Sequence, residues 1–431
     1  MAETTILEKE NQPNSKLRIC ICTDLWLGSH SGGVERIVKF AENVSKQGVK
    51  VYLVDRSRKK SLSALVLDDD KYYTIENGQI TEHCYPFHLR FVLPGTVKFV
   101  QEAIDHWISQ MTRTPVSEVS YSYFVDPYLL VKLFFICKTE RINLIQCEFP
   151  FTTFPSWIIK KIAGIPLVYD AHNIESERIG TMTKVNKLHV SVMKKLEIKS
   201  CSICDSIFVV SKRDRTRLIS WDIPETKVTV IPNSVDLVKF SPEIDGEKIR
   251  KRYRLNNAFL IIFHGALNYP PNMEAVQILI NILPRLLEKY PNVYLLLVGK
   301  DPPKISNSHV IATGFVENPA EYIAAANLAV VPLVRGGGTK LKMLDYMACG
   351  KAIVSTMAGA EGLDLENEKD ALISQYPGLE FTCLVMRAIE DAELRQKIGG
   401  NARKKVKQLY NWENNAAKAI NIYRALVSAR S

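Results

Sequence analysis

No run of eighteen apolar residues occurs in the chain, which argues against a membrane-spanning helix. The longest candidate, Leu129 to Cys137, is short and is interrupted by Lys132. The first sixteen residues lack the basic start and apolar centre of a secretory signal, and they read as a disordered tail. Low-complexity tracts are absent. Cysteine offers no disulfide framework: the nine residues are odd in number and scattered, and Cys20, Cys22 and Cys147 sit inside apolar strand-like runs. That pattern fits the reduced thiols of a cytosolic protein. Cys201 and Cys204 form one C-x-x-C, with neither a second pair nor a histidine pair nearby to complete a metal site. The formal charge is +10, yet no helix-turn-helix, RNA-binding or zinc-finger pattern accompanies it. The excess charge therefore points away from nucleic acid, toward a phosphorylated ligand or an anionic membrane face.

With 431 residues the chain is too long for one core, and two or three domains are expected. Leu17 to Cys22 reads as an apolar strand. A loop ending in Gly32-Gly33 leads into an amphipathic helix, with Val34, Ile37, Val38, Ala41 and Val44 at helical spacing and Gly48 as its stop. The strand Val49 to Asp55 follows, giving a βαβ unit with a glycine loop opening its helix. Asp68 to Val92 reads as a hairpin excursion turning at Asn77-Gly78. Helices are expected over Thr96 to Met111 and Pro127 to Thr139, then strands at Leu144–Cys147, Pro166–Asp170 and Ser206–Val210. The first half ends near Ile231-Pro232-Asn233-Ser234, and a polar linker runs from Val235 to Asn257.

The second half repeats the plan. Strand Phe259 to His264, loop Gly265 to Pro271 and helix Asn272 to Tyr290 lead to strand Val293 to Val298. Val310 to Gly314, helix Pro319 to Ala326 and strand Leu328 to Val334 come next. That last strand runs into Gly336-Gly337-Gly338, and a short helix ending at Gly350 follows. Consecutive glycines admit close backbone approach, and the following helix start turns free N–H groups toward a ligand. Arg335, Lys340 and Lys342 beside it suit an anion such as a diphosphate. The expected fold is α/β, with two Rossmann-like domains facing across a cleft and ligands at the carboxyl ends of their strands. The boundaries are 17–235 and 236–412. Glu393 to Leu426 is helical and broken at Tyr410-Asn411-Trp412, which lets residues 413–431 cross back to the first domain.

Several of these segments together resemble one family. Gly265 to Ala275, the Arg335–Ser355 block, Gly359 to Leu363, Thr313 to Val316, Val209 to Ser211, Ile231 to Asp236 and Tyr410 to Glu413 are similar to the motifs of the retaining family-four glycosyltransferases of the B-type fold, and in family order. The resemblance implies a nucleotide diphosphate sugar donor held mainly by the second domain, and a glycan or lipid-linked glycan acceptor held by the first. It implies transfer of a hexose-type sugar with retained anomeric configuration, usually without a metal or other cofactor. His172 is placed near the donor sugar, and Arg335 and Lys340 beside the leaving diphosphate. Gly32, Gly33, Gly265, Val316, Gly336, Gly337, Gly338, Thr339, Lys342, Asp345 and Glu361 are the implied donor contacts. Phe315 and Val316 are expected to pack their side chains into the core while their backbone faces the nucleobase.

This chain departs from the family pattern in two places. The loop Gly265 to Asn272 carries no basic residue where relatives often place an Arg and a Lys. Of the two family glutamates separated by seven residues, the second is Asp345, one methylene shorter, and the first is Gly337. The missing glutamate makes a catalytically silent partner subunit the rival to an active transferase. Asp24 and Glu148 also leave first-domain strands toward the cleft, as functional groups or as turn and cap residues. The segment Lys184 to Ser200 reads as a helix with Val185, Leu188, Val192 and Leu196 on one face and lysines elsewhere. That composition suits a cytoplasmic protein peripheral to an anionic membrane face, and equally a lysine-rich surface helix.

Overall fold

A computed structural model of the chain describes residues 17–28, 32–55, 71–86, 103–111, 124, 126–180, 186–335 and 338–430. The expected tail, Lys184, Val185, Gly336, Gly337 and much of the Asp68–Met111 excursion lie outside them.

Among the described residues two sheets form, one in each half. The first comprises β1 (Arg18–Thr23), β2 (Lys50–Asp55), β3 (Lys71–Glu76), β4 (Gln79–Cys84), β5 (Leu144–Glu148), β6 (Leu167–Ala171), β7 (Ser206–Val209) and β8 (Val228–Val230), in the order β4-β3-β2-β1-β5-β6-β7-β8. All neighbours are parallel except the β3–β4 hairpin, which turns at Asn77-Gly78 and pairs antiparallel with β2. The second comprises β9 (Phe259–His264), β10 (Val293–Val298), β11 (Val310–Ala312), β12 (Leu328–Val331), β13 (Ile353–Thr356) and β14 (Leu372–Ser374), in the order β11-β10-β9-β12-β13-β14 and wholly parallel. In each sheet the order reverses beside the first strand of its half, and such a switch leaves a crevice at the carboxyl ends. The central strands are near-continuous apolar runs because helices cover both faces.

Helices α1 (Gly32–Lys46), α2 (Lys187–Ile203), α3 (Lys212–Ile219), α4 (Pro270–Lys289), α5 (Leu341–Ala348) and α6 (Trp412–Ser428) matter most for the site. Helix α4 starts earlier than the spacing predicts, because Pro270 and Pro271 fit a first turn that needs no N–H partner. Strand β12 stops at Val331, earlier than expected, since Pro332 has no N–H to continue the ladder. The chain breaks at Asn411, whose side chain caps α6 by accepting from the Glu413 N–H. Helix α6 then packs on the first sheet beside α1, burying Trp412, Ala416, Ala419, Ile420 and Tyr423 in the core of Ile37, Phe40 and Phe208. No described helix is long and apolar enough to cross a membrane.

Helix α2 buries a largely polar face beside the expected apolar one, whose Val192 and Leu196 are half-buried against Phe124, Ile179 and Met193. His189, Met193, Glu197, Ser200 and Cys201 point inward, whereas Leu188 is exposed. The reason is polar: Glu197 accepts from the N–H groups of Glu175 and Ser176 and from the Ser176 hydroxyl, so it anchors the next loop. Lys187, Lys194, Lys195 and Lys199 remain on the surface.

The return of α6 is a tertiary dependence that can be measured. Trp412→Ala is expected to cost about 3–5 kcal/mol, as removal of a buried Trp does. Thermal denaturation followed by circular dichroism should drop by roughly 10 °C, and an unchanged midpoint would show that α6 is dispensable to the first-half core.

Candidate functional site

The carboxyl end of the first sheet is organised around one buried cation. Arg36, on α1 and 2% exposed, forks its Nη2 onto both oxygens of Asp170 at 2.9 Å. It also donates to Asn233 Oδ1 at 3.0 Å and to the Ile231 carbonyl at 3.0 Å. Both Nη atoms are thus partnered and the charge is paired, which is what a desolvated guanidinium needs. This contact fixes the start of α1 against the end of β6, so Gly33 comes to lie beside His172.

His172 follows β6 and is buried. Its Nε2 meets Glu148 Oε2 at 2.5 Å, and the Phe149 ring lies 4.3 Å away centroid to centroid. Burial pushes Glu148 up to about 7 and His172 down to about 3, so the imidazole stays neutral. Glu148, Asp170 and His172 are the one group among the described residues whose ligand atoms lie close enough to share an ion, within 4.8 Å of one another. Arg36 occupies both Asp170 oxygens, while Gln146 and His172 occupy those of Glu148. With a guanidinium in its midst this group does not fit a metal.

From the second half, the turn before α5 reaches across. Gly338 has φ +65, and a Cβ there would fall 2.2 Å from Asn173 Oδ1 of the first half, so glycine is required on both counts. Leu341, at the start of α5, lies against Gly32, and a Cβ on that glycine would be 3.1 Å from its Cδ1. Lys342 points inward from α5: its ammonium donates to Asn272 Oδ1 at 2.8 Å, sits 3.9 Å above the Phe263 ring and faces Gly265. It pairs with no carboxylate among the described residues, and burial, with Lys340 nearby, lowers it to about 7. Lys340 donates to the Gly338 carbonyl at 2.6 Å and lies 4.0 Å from Glu361. Burial brings it down to about 8 against the pull of Glu361. The Thr339 hydroxyl is buried without a hydrogen-bond partner among the described residues. Asp345, the shortened carboxylate, is held by His264 Nε2 at 3.0 Å.

The structure thus brings Gly32, Gly33, His172, Gly265, Gly338, Thr339, Lys340, Lys342, Asp345 and Glu361 to the facing ends of the two sheets. Gly336 and Gly337 lie outside the described residues. Arg335 is turned away, forked onto Glu274 of α4 and partly exposed. Val316 is half-buried against the second core, but Phe315 is 67% exposed rather than packed, because β11 ends at Ala312 and the chain leaves the sheet. Asp24, just past β1, is only partly buried. Glu148 is a buried partner of His172, not a turn residue. Sequence reading passed over Arg36, His264 and Gln146. A visible signal existed for the first: an arginine set among the apolar positions of an otherwise amphipathic helix.

Two parallel sheets with a phosphate-suited helix start between them define the B-type glycosyltransferase architecture. The chain superposes on sucrose-phosphate synthase of Thermosynechococcus elongatus with a TM-score of 0.70 at 16% identity, covering 96% of this chain and 100% of that one. It superposes on HepE of Anabaena, solved in complex with UDP, at 0.66 and 17% identity, covering 95% and 100%. Residues 31–239 match the model of Glycosyltransferase Family 4, and residues 258–391 that of Glycosyl transferases group 1. An uncharacterised glycosyltransferase of Methanocaldococcus jannaschii is 26% identical over 309 residues, which span 67% of this chain and 77% of that protein. The chain belongs to the group 1, family-four glycosyltransferases.

The Arg36–Asp170 pair gives a direct energetic test. Arg36→Leu alone leaves a buried carboxylate unpaired and should destabilise by about 3–5 kcal/mol, whereas adding Asp170→Leu should recover most of that loss. Denaturant midpoints of the single and double variants decide it; equal midpoints for wild type and Arg36→Leu would refute the account.

Proposed function

We propose that the protein transfers a hexose-type sugar from a nucleotide diphosphate sugar to a hydroxyl of a glycan or lipid-linked glycan, with retention. The observation that carries this reading is the pair of half-buried lysines at the start of α5. An ammonium such as that of Lys342, half-buried against the Phe263 ring with no carboxylate paired to it among the described residues, is stabilised when an anion joins it. Lys340 stands next to it, and the Gly265 and Gly338 turns give backbone access at the same place. Two preorganised cations stabilise a diphosphate more as it departs than while it is esterified. They supply the charge that offsets the leaving group, so donor binding is expected without added metal. They also take over the place of the basic residues that the Gly265–Asn272 loop lacks.

In this reading residues 17–235 hold the acceptor and residues 236–412 the donor. Asp345, steadied by His264, accepts from the ribose hydroxyls, and Thr339 offers its free hydroxyl. The buried ring of His172 turns Nδ1 toward Gly33, where a sugar hydroxyl would lie. The anomeric bond to the diphosphate breaks, the acceptor hydroxyl attacks from the same face, and its proton passes to the departing phosphate oxygen. Arg335 stays outside this step while it pairs with Glu274. The cross-cleft contacts Arg213–Glu361 at 3.3 Å and Lys212–Asp364 at 2.7 Å keep the halves together, which limits water entry. The net charge of +10 and the surface lysines of α2 favour work at the cytosolic face of an anionic membrane.

Lys340→Ala is expected to lower kcat by about 10²-fold or more while the fold is retained. Near-wild-type turnover by the folded variant, measured as nucleotide diphosphate release, would remove Lys340 from the mechanism. Wild-type protein with no turnover and no nucleotide affinity would indicate a silent partner subunit.

A further inference from the structure

Four polar side chains form one buried hydrogen-bonded line that ends at His172. The Tyr423 hydroxyl of α6 donates to Gln146 Oε1. Gln146 Nε2 donates to Glu148 Oε1 at 2.6 Å, and Glu148 Oε2 meets His172 Nε2 at 2.5 Å. Gln146 and Glu148 alternate with Cys147 on β5, so both face the α1 and α6 side while Cys147 packs into the opposite core. Tyr423 and Gln146 are fully buried, and Glu148 is 1% exposed. Apolar residues of the same volume would fill this space without the desolvation penalty. A polar line of that cost, ending on a histidine beside the Gly33 turn, acts on that histidine.

We propose that Tyr423, Gln146 and Glu148 are positioning residues that set which ring nitrogen of His172 carries the proton, and hence whether His172 offers the cleft a donor or an acceptor. This rests on the reading of His172 as a donor-sugar contact. The Tyr423 hydroxyl occupies Gln146 Oε1 and so turns the amide Nε2 toward Glu148. An amide donor favours the ionised carboxylate. Ionised Glu148 accepts from His172 Nε2–H, leaving a lone pair on Nδ1, on the Gly33 side. When one solvent proton is taken up, Glu148 Oε2–H donates to Nε2 instead, and the ring proton resides on Nδ1. The imidazole is neutral in both forms, since burial holds His172 down to about 3 and Glu148 up to about 7. The other charged groups facing the pair are Arg36 from α1, Asp170 from β6 and Glu175 after it. Arg36 favours ionised Glu148 and opposes an imidazolium; Asp170 and Glu175 favour the imidazolium.

The test is long-range proton–nitrogen NMR on full-length protein labelled in its histidine rings, with His172 assigned from the signals lost in His172→Gln. Wild type should change from the Nδ1–H to the Nε2–H tautomer as pH rises through about 7. In Tyr423→Phe the Gln146 amide is free to turn, Glu148 loses its donor, and the crossing should move up by about one pH unit. In Glu148→Gln the new amide donates to Nε2 at every pH, and the Nδ1–H form should persist throughout. An unmoved crossing in folded Tyr423→Phe protein overturns the proposal, as does a wild-type tautomer change in Glu148→Gln. Should Tyr423→Phe fail to fold, Glu148→Gln alone decides. The spectrum reports the tautomer whether or not His172 touches a sugar. Failure of the functional reading shows up separately, as unimpaired transfer by His172→Gln.

Discussion

A guanidinium removed from water must have its charge met where it stands, and Arg36 meets this demand from two separate segments. Asp170 arrives from β6, while Ile231 and Asn233 arrive from the chain that closes the first half. The consequence is positional. Helix α1 cannot slide or rotate without unpairing a buried charge, so its glycine start is held beside the exit of β6, where His172 emerges. Helix α6 reinforces the same arrangement from below, through apolar packing on α1 and the polar line reaching Glu148.

The second half brings a complementary problem to the same place. Its α5 start carries two half-buried lysines, and among the described residues only Lys340 lies within 4.0 Å of a carboxylate. The first half pairs its buried cation with a carboxylate, and the second carries surplus positive charge. Contacts of Gly338 with Asn173 and of Leu341 with Gly32 press the two together. Arg213 and Lys212 meet Glu361 and Asp364 across the same seam. An anion entering here meets a site already oriented, which is how charge stabilisation avoids reorganisation cost.

The regular elements were legible because their signals are local. Strands β9 and β10 run over the residues that the apolar spacing predicts, and the break at Asn411 follows from its cap. The lysines and glycines of the α5 start were equally visible as a block. What stayed hidden depends on pairing across long stretches of chain. Arg36 and Asp170 are separated by 134 positions, His264 and Asp345 by 81, and Tyr423 and Gln146 by 277. Local pattern also missed the buried Glu197 of α2, which anchors the loop at Glu175 and Ser176 beside the half-buried Val192 and Leu196. Arg335 looked like a phosphate ligand by sequence proximity, yet Glu274 of α4 lies within reach and takes it. Composition names the charges, and the fold decides which of them remain uncompensated.

The most direct measurement is calorimetric titration of the wild-type protein with UDP, GDP and ADP at pH 8 in EDTA, repeated in buffers of differing ionisation enthalpy. Lys342 and Lys340 sit at about 7 and about 8 when no anion is bound. Binding of a diphosphate raises both, so the account predicts that one nucleotide binds without metal and with net uptake of about one proton. Binding with no proton uptake, or no binding by any of the three, would contradict it.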